Sequence, residues 1–170
     1  WALAEGSGTP SSMHVACFSE TPGWVIKAAM RDNLALYANS HALIHETLID
    51  LMVRGVCKKF PKVKFVLAEF NAGWIAHFLD RLDQAWQREY GKNPNSIAYE
   101  PFVFDTWRRQ FYATIEDDHP AVRTRDIIGV DNLLWGSDYP HTDSTFPCSG
   151  DVLDEMFKEY SADVRRKITF

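Results

Sequence analysis

An α/β fold, with a parallel sheet covered by helices, is what this sequence predicts, and three observations carry the prediction. Short apolar runs of strand length recur along the 170 residues. Between them lie stretches with apolar residues at helical spacing, and turns rich in Gly, Pro and Asn join the two. Near-continuous apolar strands that alternate with helices indicate a sheet buried on both faces, either a closed barrel or a doubly wound sheet.

The elements follow in order. Trp1-Ala2-Leu3-Ala4-Glu5 reads as the tail of a helix, with neither a Met start nor an N-cap before it. After Gly6, Gly8 and Pro10, residues 12–18 are short and apolar, which predicts a buried strand carrying His14 inside it. Residues 41–58 place Ile44, Leu48, Leu51, Met52 and Val56 at helical spacing, and Phe60-Pro61 ends that helix. Val63 to Glu69 is the second strand, which Asn71-Ala72-Gly73 turns into a helix with Trp74, Phe78, Leu82 and Trp86 on one stripe. Lys92 to Pro101 is a loop, Gln110 to Ile115 the third strand, and Pro120 the start of a short helix. Asn132 to Gly136 is the fourth strand; it runs into Ser137-Asp138-Tyr139-Pro140-His141, and a helix follows from about Asp151 to Tyr160. Ser161 to Phe170 reads as a helix that stops without a C-cap, so both ends look cut and the chain is expected to be one partial domain of a longer protein.

With 46% apolar and 24% charged residues, the composition is that of a globular core and excludes a disordered chain. The net charge of -5 is dispersed, which argues against nucleic acid or anionic membrane as partner and for a small-molecule substrate. Cys17, Cys57 and Cys148 are far apart with no CxxC pair, as expected of reduced thiols in the cytoplasm. No apolar run approaches the ~20 residues of a membrane span, and no signal-peptide pattern opens the chain. GxGxxG, P-loop and GxSxG motifs are absent.

In parallel α/β folds reactive groups collect at the C-terminal ends of the strands. That rule selects His14 in the first strand, Glu69 at the end of the second, Glu116 and Asp117 at the end of the third, and Asp138 at the end of the fourth. Asp138 has the most specific setting, an apolar strand that opens through Gly-Ser into an acid and then a Tyr-Pro-His turn. As a bland role it caps that turn; as a functional one it is a metal ligand or general base. Imidazole nitrogen with carboxylate oxygen is a common donor set for catalytic zinc, so His14 and Asp138 are read together. Glu69 is open between ligand, acceptor for a histidine N–H, and partner of the next helix N-terminus, and His141 is carried with it as a further site candidate. Glu116 to Asp118 are explained by the helix start beside them, His41, His45 and His77 as structural or exposed, and the tryptophans as core.

The run Val130-Asp131-Asn132-Leu133-Leu134-Trp135-Gly136-Ser137-Asp138-Tyr139-Pro140-His141, followed by Asp143-Ser144-Thr145, resembles the last barrel strand of the amidohydrolase-related family. Phe60 to Glu69 with Gly73-Trp74 resembles its sixth strand. This family also contains aminocarboxymuconate-semialdehyde decarboxylase-like enzymes. The resemblance implies the C-terminal portion, about strands 5 to 8, of a (β/α)8 TIM barrel. It also implies a divalent metal, zinc above all, held by His14 and Asp138. The family's first strand supplies two further ligands from a His-x-His pair, which this chain does not contain. The decarboxylase branch places a catalytic histidine where Glu69 stands.

The expected activity is therefore metal-dependent hydrolysis of a carbonyl-type bond in a small molecule, with Asp138 as catalytic base. The alternatives are non-oxidative decarboxylation and an inactive scaffold. Half a barrel would expose its inner face, so the isolated segment is expected to be inactive and to pair with another copy or aggregate.

Overall fold

The computed structural model describes residues 1–15, 23, 34–89 and 103–170. The expected Lys92–Pro101 loop, the outer part of the strand expected over residues 12–18, Cys17 and Trp24 lie outside the described residues. Four strands, β1 (Ser11–His14), β2 (Phe65–Ala68), β3 (Phe111–Ile115) and β4 (Leu133–Trp135), form one parallel sheet in the order β1-β2-β3-β4. Adjacent strands in space are adjacent in sequence, with no reversal of order. A doubly wound sheet needs such a reversal, whereas a (β/α)8 barrel adds each strand beside the last. The sheet is thus an arc of the barrel kind.

Register assigns the two faces. Met13, Leu67, Ala113 and Leu133 stand side by side across the four strands. With Phe65, Phe111 and Ile115 they make the helix-covered face, buried throughout except at Met13. The alternate positions Ser12, Val66, Tyr112, Thr114 and Leu134 face the other way and are exposed or half-buried. The period of two in burial on β2 and β3 is the direct consequence of the pleat.

The helices run α1 (Ala2–Ser7), α2 (Leu34–Asn39), α3 (Ala42–Val53), α4 (Val56–Lys59), α5 (Ile75–Glu89), α6 (Val103–Gln110), α7 (His119–Arg123), α8 (Arg125–Ile128), α9 (Ser149–Phe157) and α10 (Ala162–Thr169). The helix expected over residues 41–58 is two, because Gly55 takes a left-handed φ of 83° after Arg54 and ends the first. Ile44, Leu48, Leu51 and Met52 bury the expected face. On α5 the buried residues are Ile75, Leu79 and Trp86: Trp86 is on the expected stripe, while Trp74, Phe78 and Leu82 are only partly buried and Ile75 and Leu79 take the interior. Residues 74/78 and 75/79 are both apolar pairs at helical spacing, so periodicity alone could not choose between them. Trp74 and Phe78 pack against the edge of the core and also on the rings of His41 and His45.

Helix α6, unanticipated because it adjoins β3 without a turn signal, buries Trp107, whose Nε1–H donates to the Ile128 carbonyl at 2.9 Å. At the N-terminal end of the sheet Trp107, Phe111, Phe65 and Trp1 form a chain of ring contacts 5.0–5.4 Å apart. Trp107, as expected, and Phe111 and Phe65 are core, whereas Trp1 at the end of the chain of rings is 49% exposed. Asn132, just before β4, donates to the carbonyls of Arg108 and Phe111 and ties the strand's entry to α6 and β3.

Candidate metal centre

Each strand delivers one acid or imidazole to the same rim. His14 is the last residue of β1, Glu69 follows Ala68 of β2, Glu116 follows Ile115 of β3, and Asp138 lies three residues beyond Trp135 of β4. Together with Asn71 and Asp143 they line a cavity of 510 Å³.

The backbone at this rim is unusual in a consistent way. Glu69, Asn71 and Asp138 are the non-glycine residues with positive φ, at 65°, 53° and 55°, among those described. A left-handed conformation costs an L-residue about 1–2 kcal/mol, and such costs persist only where the surroundings hold them. Here the Glu69 N–H donates to Thr114 Oγ1 at 2.9 Å, and the Asn71 side chain accepts from the Glu116 N–H at 3.2 Å. Trp135 Nε1–H donates to the Glu116 carbonyl at 3.1 Å. Strand ends are thereby cross-linked by side chains from neighbouring strands.

His14 Nε2 lies 2.8 Å from Glu69 Oε1, and its Nδ1 lies 2.7 Å from the Val15 carbonyl. A carbonyl can only accept, so Nδ1 carries the hydrogen in that bond, and Nε2 is the nitrogen that meets Glu69. The bond to Val15 raises the imidazole pKa above its ordinary value; slight burial opposes this and the charge of Glu69 reinforces it. On the opposite side Asp138 Oδ1 meets His141 Nδ1 at 2.7 Å, and the Asp138 side chain is only 7% exposed against 59% for His141. That bond to Asp138 raises the His141 pKa. The Asp138 carboxylate takes no backbone N–H among the described residues. The turn after it is closed by main chain instead, His141 N–H to the Asp138 carbonyl and Thr145 N–H to the Ser137 carbonyl. Turn capping therefore does not account for this side chain.

Ligand atoms of Glu69, Asp138 and His141 all lie within 4.8 Å of one another. Those of Glu116, Asp138 and Asp143 do the same. His14 and Asp138 do not share such a group among the described residues; Glu69 stands between them, bonded to His14. The donor set of imidazole nitrogens and carboxylate oxygens at this spacing fits a divalent cation. The backbone-bonded Nδ1–H of His14 is the arrangement that orients a ligating imidazole.

Glu116 and Asp143 also line this cavity; the sequence reading selects Glu116 by the strand-end rule and then leaves it to the helix start, and does not single out Asp143. Glu116 was assigned to the helix start at Pro120, but that role belongs to Asp118, whose carboxylate accepts from the N–H groups of Ala121, Ala72 and Gly73 at 3.0, 2.6 and 2.8 Å. Burial, then the charges of Asp138, Asp143 and Glu69, push the Glu116 carboxyl up to about 7. His41 and His45 lie off this rim, stacked near Trp74, and burial lowers the pKa of both.

Three solved structures are similar to this chain in fold. An amidohydrolase from Mycobacterium avium subsp. paratuberculosis K-10 is 24% identical, with a TM-score of 0.75 over 99% of this chain and 42% of that one. A 5-carboxyvanillate decarboxylase from Sphingomonas paucimobilis is 23% identical, with a TM-score of 0.63 over 96% of this chain and 48% of that one. A dihydroxybenzoic acid decarboxylase from Polaromonas sp. JS666, with bound manganese and the inhibitor 2-nitroresorcinol, is 19% identical, with a TM-score of 0.61 over 99% and 49%. The chain thus spans less than half the length of each. A search of curated proteins found no match. A family model described as amidohydrolase matches residues 1–169, and the chain belongs to the amidohydrolase family.

Proposed function

We propose that this chain supplies the later strands of a metal-dependent hydrolase barrel and that Asp138 is its catalytic base. The observation that carries the reading is the convergence of His14, Glu69, Asp138 and His141 on one rim, with Asp138 nearly buried and its carboxylate not spent on capping. His14, Glu69, Asp138 and His141 would hold the ion, with ligands from the rest of the barrel completing its shell. Zinc is the ion that such a nitrogen and oxygen set favours. A divalent cation bound there supplies a Lewis acid that acidifies water and polarises a carbonyl.

The chain's own residues do the rest. Asp138 accepts a proton as a water oxygen bonds to the carbonyl carbon and the C=O electron pair moves to oxygen. When the bond to the leaving nitrogen or oxygen breaks, Asp138 returns that proton to it. His141, hydrogen-bonded to Asp138 Oδ1, orients the carboxylate. The acidic rim, with no Lys or Arg among the described residues that line the cavity, suits a neutral substrate better than an anionic one.

Non-oxidative decarboxylation is the second reading, favoured by the two decarboxylases among the similar structures. Against it, an anionic substrate would enter among carboxylates. In the full-length enzyme Asp138→Asn is expected to lower turnover by about 10²–10⁴-fold, the range for a lost acid–base group, with metal retained. Full activity in that variant would overturn the reading. Incorporation of labelled oxygen from water into product marks hydrolysis; carbon dioxide release without incorporation marks decarboxylation.

A further inference from the structure

A second group of donors shares Asp138 with the centre just described. We infer that Glu116, Asp138 and Asp143 form a separate cation position that holds a hard divalent ion through oxygen alone. This goes beyond the proposed function and has only Asp138 in common with it.

The geometry comes first. One carboxylate oxygen from each of the three lies within 4.8 Å of the others. Metal–oxygen bonds of about 2.0–2.6 Å place ligand oxygens up to about 5 Å apart, so one ion can reach all three. His141 engages Oδ1 of Asp138, and the second oxygen of that carboxylate has no hydrogen bond among the described residues.

Independently of the cluster, Glu116 itself points to a ligand. The residue is only 8% exposed, yet its carboxyl makes no hydrogen bond or ion pair among the described residues, and it lines the cavity. Buried carboxylates are ordinarily paired, because an unpaired one forfeits its hydration. The strongest charges acting on Glu116 are Asp138, Asp143, Glu69 and Asp118, all of its own sign. Glu116, buried and lining a cavity among other acids, meets no counter-charge among the described residues, and a cation would supply one. The three donors are oxygen only, which selects Mg²⁺, Mn²⁺ or Ca²⁺ rather than a thiolate- or imidazole-seeking ion.

Counting bound Mn²⁺ by the loss of its free-ion electron paramagnetic resonance signal tests this on the purified chain. Two ions are expected for the unaltered protein. Glu116→Gln keeps the side-chain volume and Asp143→Asn alters an exposed residue, and each is expected to bind one. His14→Ala is expected to lose the other ion and keep this one. A single ion that survives Glu116→Gln and Asp143→Asn but not His14→Ala overturns this inference and leaves the proposed function standing. A single ion lost in the two acid variants but kept in His14→Ala supports it. No bound ion, the outcome if the acids merely share a proton, overturns this inference and leaves the proposed function standing, since its ion draws further ligands from the rest of the barrel.

Discussion

Glu116 shows how a single residue can hold chemistry and instability together. Its carboxyl titrates near 7 rather than 4.5 because burial and neighbouring carboxylates penalise the charged form. In the metal-free chain the folded state keeps this proton between pH 4.5 and 7 while the unfolded state has released it. The contribution is therefore fully present below 4.5 and is lost as pH rises through 7. At 1.36 kcal/mol per unit the loss is about 3 kcal/mol at most. Glu116→Gln, neutral at every pH, is expected to be more stable than the parent at pH 8 by about 1–3 kcal/mol, with the gap closing by pH 5. Urea denaturation of both chains without metal checks it, and comparing the two removes the opposite pH trend of His41 and His45. Equal stability at pH 8 would contradict the assignment of Glu116 as a strained acid.

At the scale of elements, the loops after β2 and β3 are built as one unit. Asp118 caps α7 through Ala121 and at the same time receives the N–H groups of Ala72 and Gly73 before α5. Gly73 sits so close that a Cβ there would meet Pro120 Cβ at 2.5 Å and Asp118 Oδ1 at 2.8 Å. Neither neighbour can yield easily, since one is a proline ring and the other is hydrogen-bonded three times. Gly73→Ala is expected to cost about 1–3 kcal/mol, the usual penalty of overpacking, and to lower the thermal midpoint. A variant as stable as the parent would show that these loops are not locked together. The sequence announced the strand–turn–helix here through Asn71-Ala72-Gly73. That Asp118, a distant residue, makes this glycine obligatory was not legible, because the contact spans 45 residues.

Across the whole molecule, one face of the sheet is covered by helices and the other, among the described residues, is not. Val66 and Tyr112 are half-buried on the open face and Leu134 is 38% exposed. In barrels of this kind that face is interior, filled by side chains from all strands. The purified chain is expected to self-associate through it, giving a light-scattering mass above the 19.5 kDa of the monomer and rising with concentration. Leu134→Glu is expected to lower that mass. A chain that stays monomeric at high concentration would mean that the open face tolerates water. No helix among the described residues is long and apolar enough to cross a membrane.

By itself the sequence determined the alternation of strands and helices, the rim on which acids and imidazoles gather, and the prominence of Asp138. These depend on local periodicity and on the rule that parallel strands end at a common edge, both written into neighbouring residues. Tertiary structure decided the rest. It chose the barrel-like strand order over the doubly wound one, buried Ile75 and Leu79 of α5 more deeply than Trp74 and Phe78, placed Glu69 rather than Asp138 against His14, and turned Glu116 into the cavity while Asp118 took the cap. Each of these depends on which side chains meet across tens of residues of chain. Helical and strand periods leave such pairings degenerate, and only packing and the satisfaction of buried polar groups resolve them.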